Sequence, residues 1–259
     1  MTLTPKQKTH IKAVIADCLR SKFRNYRPES GNMPFHFRLL GKDRMALYSF
    51  IQSLNTTFGT SIYEPVAVAI ARENNFVTAQ PQFFVGDEIY DACQQSIQNI
   101  INELSVNPNP DKINEIAILR NNLSGQFNKL EAPLVDLYLV NSQGTQFLFE
   151  LKTVKPNKGN FKDFKRTLLE WAGIVLSKDA TANVHTFIAI PYNPYEPKPY
   201  QRWTMRGMLD LPNELKVADE FWNFLGGEGT YEDLLDCFEQ AGIELRPEID
   251  AYFEKFKGF

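Results

Sequence analysis

Residues 134–154 read LVDLYLVNSQGTQFLFELKTV, and no other stretch restricts the folds open to this chain as much. Residues 134–140 are branched or aromatic except for Asp136, which predicts a strand deep in a sheet. Asn141, Ser142, Gln143 and Gly144 carry turn chemistry. From Thr145 the chain alternates, with Phe147, Phe149 and Leu151 on one face and Leu148, Glu150 and Lys152 on the other. A loop that closes with Gly144 at a left-handed position pairs Asn141 with Thr145. That register sets Asp136 opposite Glu150 on one face of a hairpin, with Cβ atoms about 5 Å apart. Lys152, two residues further, shares the face.

Two carboxylates facing each other in an apolar hairpin repel and are costly to desolvate. A hard divalent cation between them reverses the sign of that interaction, and magnesium needs only one or two carboxylates plus water and phosphate oxygens. Lys152 then stands where an ammonium can orient a water and offset charge on an attacked phosphate. This is the outline of a phosphodiester-cleaving site with Asp136 and Glu150 as metal ligands. The same spacing also describes a solvated hairpin face with a cross-strand Glu/Lys pair, which needs no metal.

With 259 residues the chain can bury a large core as a single domain. It has no apolar run long enough to span a membrane, and MTLTPKQKTHIK at the start lacks a signal-peptide core, so the expectation is a cytoplasmic protein without membrane partners. Cys18, Cys93 and Cys237 are scattered, with no CxxC spacing, and read as reduced thiols; a zinc site is not expected. The net charge of −3 is unevenly spread: from residue 210 onward 13 acidic residues face 4 basic ones, while residues 1–44 hold 10 basic against 3 acidic. A basic front and an acidic back suit a protein with one face toward phosphates, and also suit ordinary solvated surfaces.

Thr4 followed by Pro5 predicts a helix start, continuing to about Phe23 with Ile11, Ile15, Cys18 and Leu19 inward. The lysines and arginines on that helix read as a solvated face, with nucleic-acid contacts as the alternative. Residues 26–42, punctuated by Pro and Gly, read as loop; 44–54 as helix. The helix opening near Gly59 ends near Asn74, and Ser61-x-x-Glu64 has the form of a capping box. An extended segment is expected within 76–85, helices over 87–104 and 111–121, and a lead into the hairpin over 124–130.

Beyond Lys152 the chain turns basic, with Lys155, Lys158, Lys162, Lys165 and Arg166 opposed only by Asp163. A helix capped by Asn160 runs to about Lys178 with Phe164, Leu168, Trp171, Ile174 and Val175 inward, and its first turns with their N–H groups suggest a phosphate track. A basic helix face in water is the alternative. Residues 184–190 form the next strand, parallel to the Glu150 strand, with His185 a strand residue rather than a base. PYNPYEPKPYQRW (191–203) cannot be helix, and Asn193, Lys198, Arg202 and Arg206 are of the types that read base edges and sugars; a packed surface loop accounts for them equally. Residues 218–225, 230–241 and 247 onward read as acidic helices, with Thr230-x-x-Asp233 as a cap.

Asp136 with Glu150, Leu151 and Lys152 resembles the PD-(D/E)xK nuclease superfamily, in which an Asp on one core strand precedes Glu-x-Lys on the next. Pro133 stands three residues before Asp136, a mild departure. ELKTVKPNKGNFKDFKRTLLEW and FIAIPYNPYEPKPYQRW are similar to type II restriction endonucleases of the TdeIII type, over most of the chain from about residue 60. The resemblance implies a restriction-endonuclease-like α/β fold with a mixed central β-sheet flanked by helices. It implies a helical N-terminal extension (1–58), a catalytic core (59–205) and a helical C-terminal part (206–259). It further implies magnesium-dependent cleavage of double-stranded DNA at a short palindrome such as GGNCC, by a homodimer. Asp136, Glu150 and the Leu151 carbonyl would then be metal ligands, Lys152 the catalytic lysine, and Glu64 a further catalytic carboxylate lent by an early helix. A superfamily nuclease acting in repair or on branched DNA, and a non-catalytic DNA-binding or scaffold protein, are the rival readings.

Overall fold

The computed structural model describes residues 3–27, 33–74, 76–131, 134–152, 161–201, 205 and 207–258. The chain opens with three helices, α1 (Pro5–Asn25), α2 (Pro34–Leu40) and α3 (Lys42–Thr57), then a π-helical turn (Phe58–Tyr63) running into α4 (Glu64–Arg72). Strands β1 (Phe76–Phe83) and β2 (Glu88–Tyr90) precede α5 (Asp91–Val106) and α6 (Lys112–Asn121). Then come β3 (Phe127–Lys129), β4 (Val135–Asn141), β5 (Gln146–Leu151), α7 (Phe161–Lys178) and β6 (Val184–Ile190). The chain finishes with α8 (Leu211–Glu214), β7 (Leu215–Val217), α9 (Asp219–Gly226), α10 (Thr230–Glu244) and α11 (Arg246–Glu254).

The central sheet has the order β1-β4-β5-β6-β7. Its β1–β4 and β4–β5 pairs are antiparallel and its β5–β6 and β6–β7 pairs parallel, so the sheet is mixed. The α/β expectation holds. The hairpin register is the one its turn dictates: Leu137 faces Phe149 and Val140 faces Gln146. Asn141 donates its N–H to the Thr145 carbonyl at 3.1 Å, and Gly144 closes the turn at φ 77, where a side chain would be strained. The Asn141 side chain accepts from the backbone N–H of Gln143 and Thr145, which locks the loop. On β4, Val135, Leu137 and Leu139 are fully buried, and Asp136 and Tyr138 face the other way. β5 is the middle strand, and Phe149 is wholly buried against Phe187 and Phe221. Helix α7 connects β5 to the parallel β6 and buries Phe164, Leu168, Trp171, Ile174 and Val175, the stripe its periodicity predicts.

Several local expectations are overturned. The loop expected over 26–42 contains α2, begun by Pro34 at its first position; it buries no residue and leaves Phe35 and Leu39 each 83% exposed. Residues 88–90, expected in a helix, pair instead with β3, and the helix starts at Asp91. The C-terminal part is not purely helical, since β7 completes the main sheet. Thr230 does not cap α10: Gly229 takes the cap position in a left-handed conformation. Asp233 instead accepts the Leu3 N–H at 2.7 Å and pairs with Lys8.

That last contact belongs to a row. Lys12 meets Glu244 at 2.6 Å and Arg20 meets Glu248 at 2.7 Å, so α1 lays its basic residues against the acidic α10 and α11. The charge asymmetry of the sequence is therefore partly neutralised within the fold. Burial of Ile11 and Ile15 in the main core supplies the packing beneath these pairs. A second, small aromatic cluster gathers Phe50, Tyr252 and Phe256 with Phe23 and Tyr26. Thr4 caps α1 as predicted, in a reciprocal box with Gln7. Thr4→Ala is expected to cost about 1 kcal/mol, read as a lower urea midpoint with an unchanged slope.

Candidate active site

The hairpin delivers its two acidic residues together. Continuing the β4–β5 register by one step beyond Leu137 and Phe149 places Asp136 across from Glu150. The Asp136 carboxylate accepts the Leu151 N–H on Oδ2 at 2.8 Å, a bond that ties it to the neighbouring strand. Glu150 pairs with the Lys152 ammonium, which also stands 5.4 Å from the centre of the Phe164 ring. Lys152 is itself anchored by its N–H to the Ala189 carbonyl on β6 at 2.9 Å.

Helix α4 brings a third carboxylate. Glu64, its first residue, is only 2% exposed. Gln82 at the end of β1 donates from Nε2 to Glu64 Oε2 at 2.9 Å and to Asp136 Oδ1 at 3.2 Å. The capping-box reading of Glu64 fails, because Ser61 lies within the π-helical turn and no side chain caps α4. Glu64 belongs instead to the group around Asp136.

The electrostatics are those of a site short of positive charge. Burial pushes the Glu64 carboxyl up to about 7; the Gln82 bond opposes this, and the Asp136 and Glu150 charges add to it. Burial likewise raises Asp136, against the Leu151 N–H, Lys152 and Gln82. Glu150 is raised by burial and then by Asp136, with Lys152 opposing. Among the described residues no three His, Cys, Asp or Glu side chains are drawn tightly enough to grip one ion as they stand. Each of these three carboxylates is held by a protein donor instead. The donor set of ionisable oxygens, raised by burial and mutual repulsion, is nonetheless what a hard cation requires, so the residues fit magnesium by their chemistry.

The expected DNA-contact residues divide. Lys162 is exposed on the first turn of α7. Arg166, partly exposed, gives an N–H to Gln98 at 2.8 Å and lies near Glu170. Lys165 is a correction: it is fully buried, with its ammonium on Glu115 and on Glu214 (2.7 Å), and has no route to a phosphate. Its position on the stripe of Phe161, Leu168 and Ala172 is the reason. The Asn193 amide is committed within its own loop, donating to the Lys198 carbonyl at 2.7 Å and accepting the Tyr195 N–H at 3.0 Å. Lys198 is exposed there. Lys155, Lys158, Arg202 and Arg206 lie outside the described residues. His185 sits on β6 stacked on Phe147, a strand residue. Gln82 is the site residue that sequence reasoning misses.

Comparison with known proteins places the chain among restriction enzymes. Residues 3–242 match the family described as "Type II restriction endonuclease, HinfI". The type II restriction enzyme HgiCII of Herpetosiphon aurantiacus is 28% identical over 222 residues, covering 83% of this chain and 80% of that protein. HgiEI from the same organism is 26% identical over 229 residues, covering 83% and 79%. The type II restriction enzyme MjaII of Methanocaldococcus jannaschii is 28% identical over 257 residues, covering 88% and 66%. The matched family is HinfI, where the sequence resemblance points to the TdeIII type; the class of enzyme is the same, and the paired Asp and Glu-x-Lys are consistent with the PD-(D/E)xK pattern. With a match over nearly its whole length and carboxylates set across its central hairpin, the chain belongs to the HinfI family of type II restriction endonucleases.

Proposed function

We propose that Asp136, Glu150 and Glu64 hold a magnesium ion and that Lys152 positions the water that hydrolyses a DNA phosphodiester. The observation that carries this is the convergence of three carboxylates and one lysine, from α4, β4 and β5, on one end of the hairpin. The Leu151 N–H points toward Asp136, and an extended residue directs its carbonyl to the same edge, which supports that carbonyl as a further ligand. A bound magnesium would neutralise the facing carboxylates and polarise the scissile phosphate. Lys152, steadied by Glu150 and Phe164, hydrogen-bonds the attacking water and offsets the charge growing on the phosphoryl oxygens. The water oxygen bonds to phosphorus as the P–O3′ bond breaks, leaving a 5′-phosphate and a 3′-hydroxyl.

Exposed Lys162 and Lys198, with Lys155, Lys158, Arg202 and Arg206, serve as DNA contacts in this reading, and Arg166 and Asn193 act through the elements they brace. The enzyme works in the cytoplasm as a homodimer, since cutting both strands of a palindrome calls for two such sites. A GGNCC-like target is the one that the resemblance to the TdeIII type implies. Digestion of a fully sequenced plasmid, with ends mapped, reads the target directly. Defined fragments only when magnesium is present are expected; magnesium-independent cutting, or fragments without a common sequence, contradicts the proposal.

A second outcome follows from the raised carboxyls. Glu64 binds its proton more tightly folded than unfolded, so its ionisation takes stability away as pH climbs from 4.5 to about 7, with no further loss above that. Magnesium should therefore raise the melting temperature more at pH 8 than at pH 5, where protons compete for the same oxygens. Equal shifts at both pH values would count against these carboxylates as the ligands.

A further inference from the structure

Resting on the reading that Asp136, Glu150 and Glu64 hold the cation, we propose that Gln82 is a positioning residue of the site, its amide spanning Glu64 and Asp136 and setting how readily the carboxylates take up a divalent ion. The two acids come from different elements, Glu64 from α4 and Asp136 from β4, and repel each other. One amide nitrogen with two hydrogens can serve both, and Gln82 Nε2 does so at 2.9 Å and 3.2 Å. Each bond uses one carboxylate oxygen, Oε2 of Glu64 and Oδ1 of Asp136.

The backbone supports the assignment independently. Gln82 has φ 48, a left-handed conformation unfavourable for a residue of this type. The β1–β4 ladder pairs Pro81 with Leu137 and Phe83 with Val135 in one unshifted register, so the strained residue stands at the level of Asp136. Pro81 before it has no N–H to give. Gln82 is exposed, so core packing does not account for the distortion. What the distortion achieves is to aim the amide between the two acids. Hydrogen-bonded supports of this kind govern the affinity of ligating carboxylates in other sites.

The test separates strain from amide. Manganese, whose binding is visible by electron paramagnetic resonance, is titrated into wild type, Gln82→Gly, Gln82→Asn and Glu150→Gln. Gln82→Gly relieves the backbone and is expected to melt higher, yet to bind manganese about 10- to 100-fold more weakly. Gln82→Asn keeps an amide in a residue that tolerates the conformation, and should recover part of the affinity. Wild-type manganese binding in Gln82→Gly overturns the proposal, as does a loss confined to DNA affinity, which would make Gln82 a DNA contact. Should Gln82→Gly melt lower, Gln82→Met is decisive, since it keeps the chain and removes the donor: weakened manganese binding supports the proposal and wild-type binding overturns it. If Glu150→Gln binds manganese as wild type does, the metal-site reading itself fails, and that result is independent of the Gln82 variants.

Discussion

Lys152→Ala is expected to lower the rate of plasmid cleavage by about a hundred- to a thousand-fold while leaving the melting temperature nearly unchanged. The Lys152 side chain stands at the edge of the site, 29% exposed, so removing it opens no cavity in the core. What disappears is the positive charge beside Glu150 and, with it, the donor proposed for the attacking water. Glu150→Ala should be as damaging or worse, because it takes a proposed metal ligand and the partner of Lys152 together. Glu64→Gln keeps the shape of the side chain and removes its charge; a smaller loss, confined to higher pH where the wild-type carboxylate is ionised, is expected. Single-turnover linearisation of supercoiled plasmid at saturating enzyme reads these effects without interference from DNA binding. Full activity in both Lys152→Ala and Glu150→Ala would remove them from the catalytic machinery.

Glu214→Ala is expected to be the most destabilising substitution away from the site, by about 3–5 kcal/mol. Glu214 is fully buried, accepting from Lys112 at 2.9 Å and Lys165 at 2.7 Å, and it also accepts the Asp210 N–H at 2.8 Å. Thr186 on β6 completes the cluster through Lys112 at 2.8 Å. Burial alone would raise the Glu214 carboxyl, but the two lysines hold it below the usual carboxylate range. Its contribution is present above pH 4.5 and is lost as pH falls through the lowered value. Removing the carboxylate leaves, among the described residues, the Thr186 hydroxyl for Lys112 and Glu115 for Lys165. Urea unfolding at neutral pH measures the cost. A paired change of Glu214 and Lys112 to Gln and Met should recover part of it, because one unmatched charge goes with its partner. A loss under 1 kcal/mol for Glu214→Ala would mean that water reaches the cluster.

The parts of this molecule legible in its sequence are those set by neighbours along the chain. The β4–β5 register follows from a four-residue turn, and with it the facing of Asp136 and Glu150. The start of α1 follows from Thr4 and Pro5, and the inward stripe of α7 from its periodicity. Lys165 is instructive, since it lies on that same stripe and could have been recognised as a charge directed into the core. Its partners Glu115 and Glu214 lie 50 and 49 residues away, a distance no local pattern spans. Gln82 is hidden for the same reason, and its unusual backbone leaves no compositional trace. Glu64 reads in the sequence both as a capping-box residue and as a carboxylate lent to the site, and contacts distant along the chain separate the two: no side chain caps α4, and Gln82 links Glu64 to Asp136.

The hairpin and the pair Glu64–Gln82 reach the site by different routes. Asp136, Glu150 and Lys152 are joined by a tight turn and can meet as soon as that ribbon zips. Glu64 and Gln82 must be carried in from 54 or more residues upstream, at the larger cost of closing a long loop. A half-folded or nascent chain can therefore hold two acids and a lysine in register and still lack the residues that complete the cup. For an enzyme that cuts double-stranded DNA, an assembly order of this kind would delay cutting power until the fold is finished.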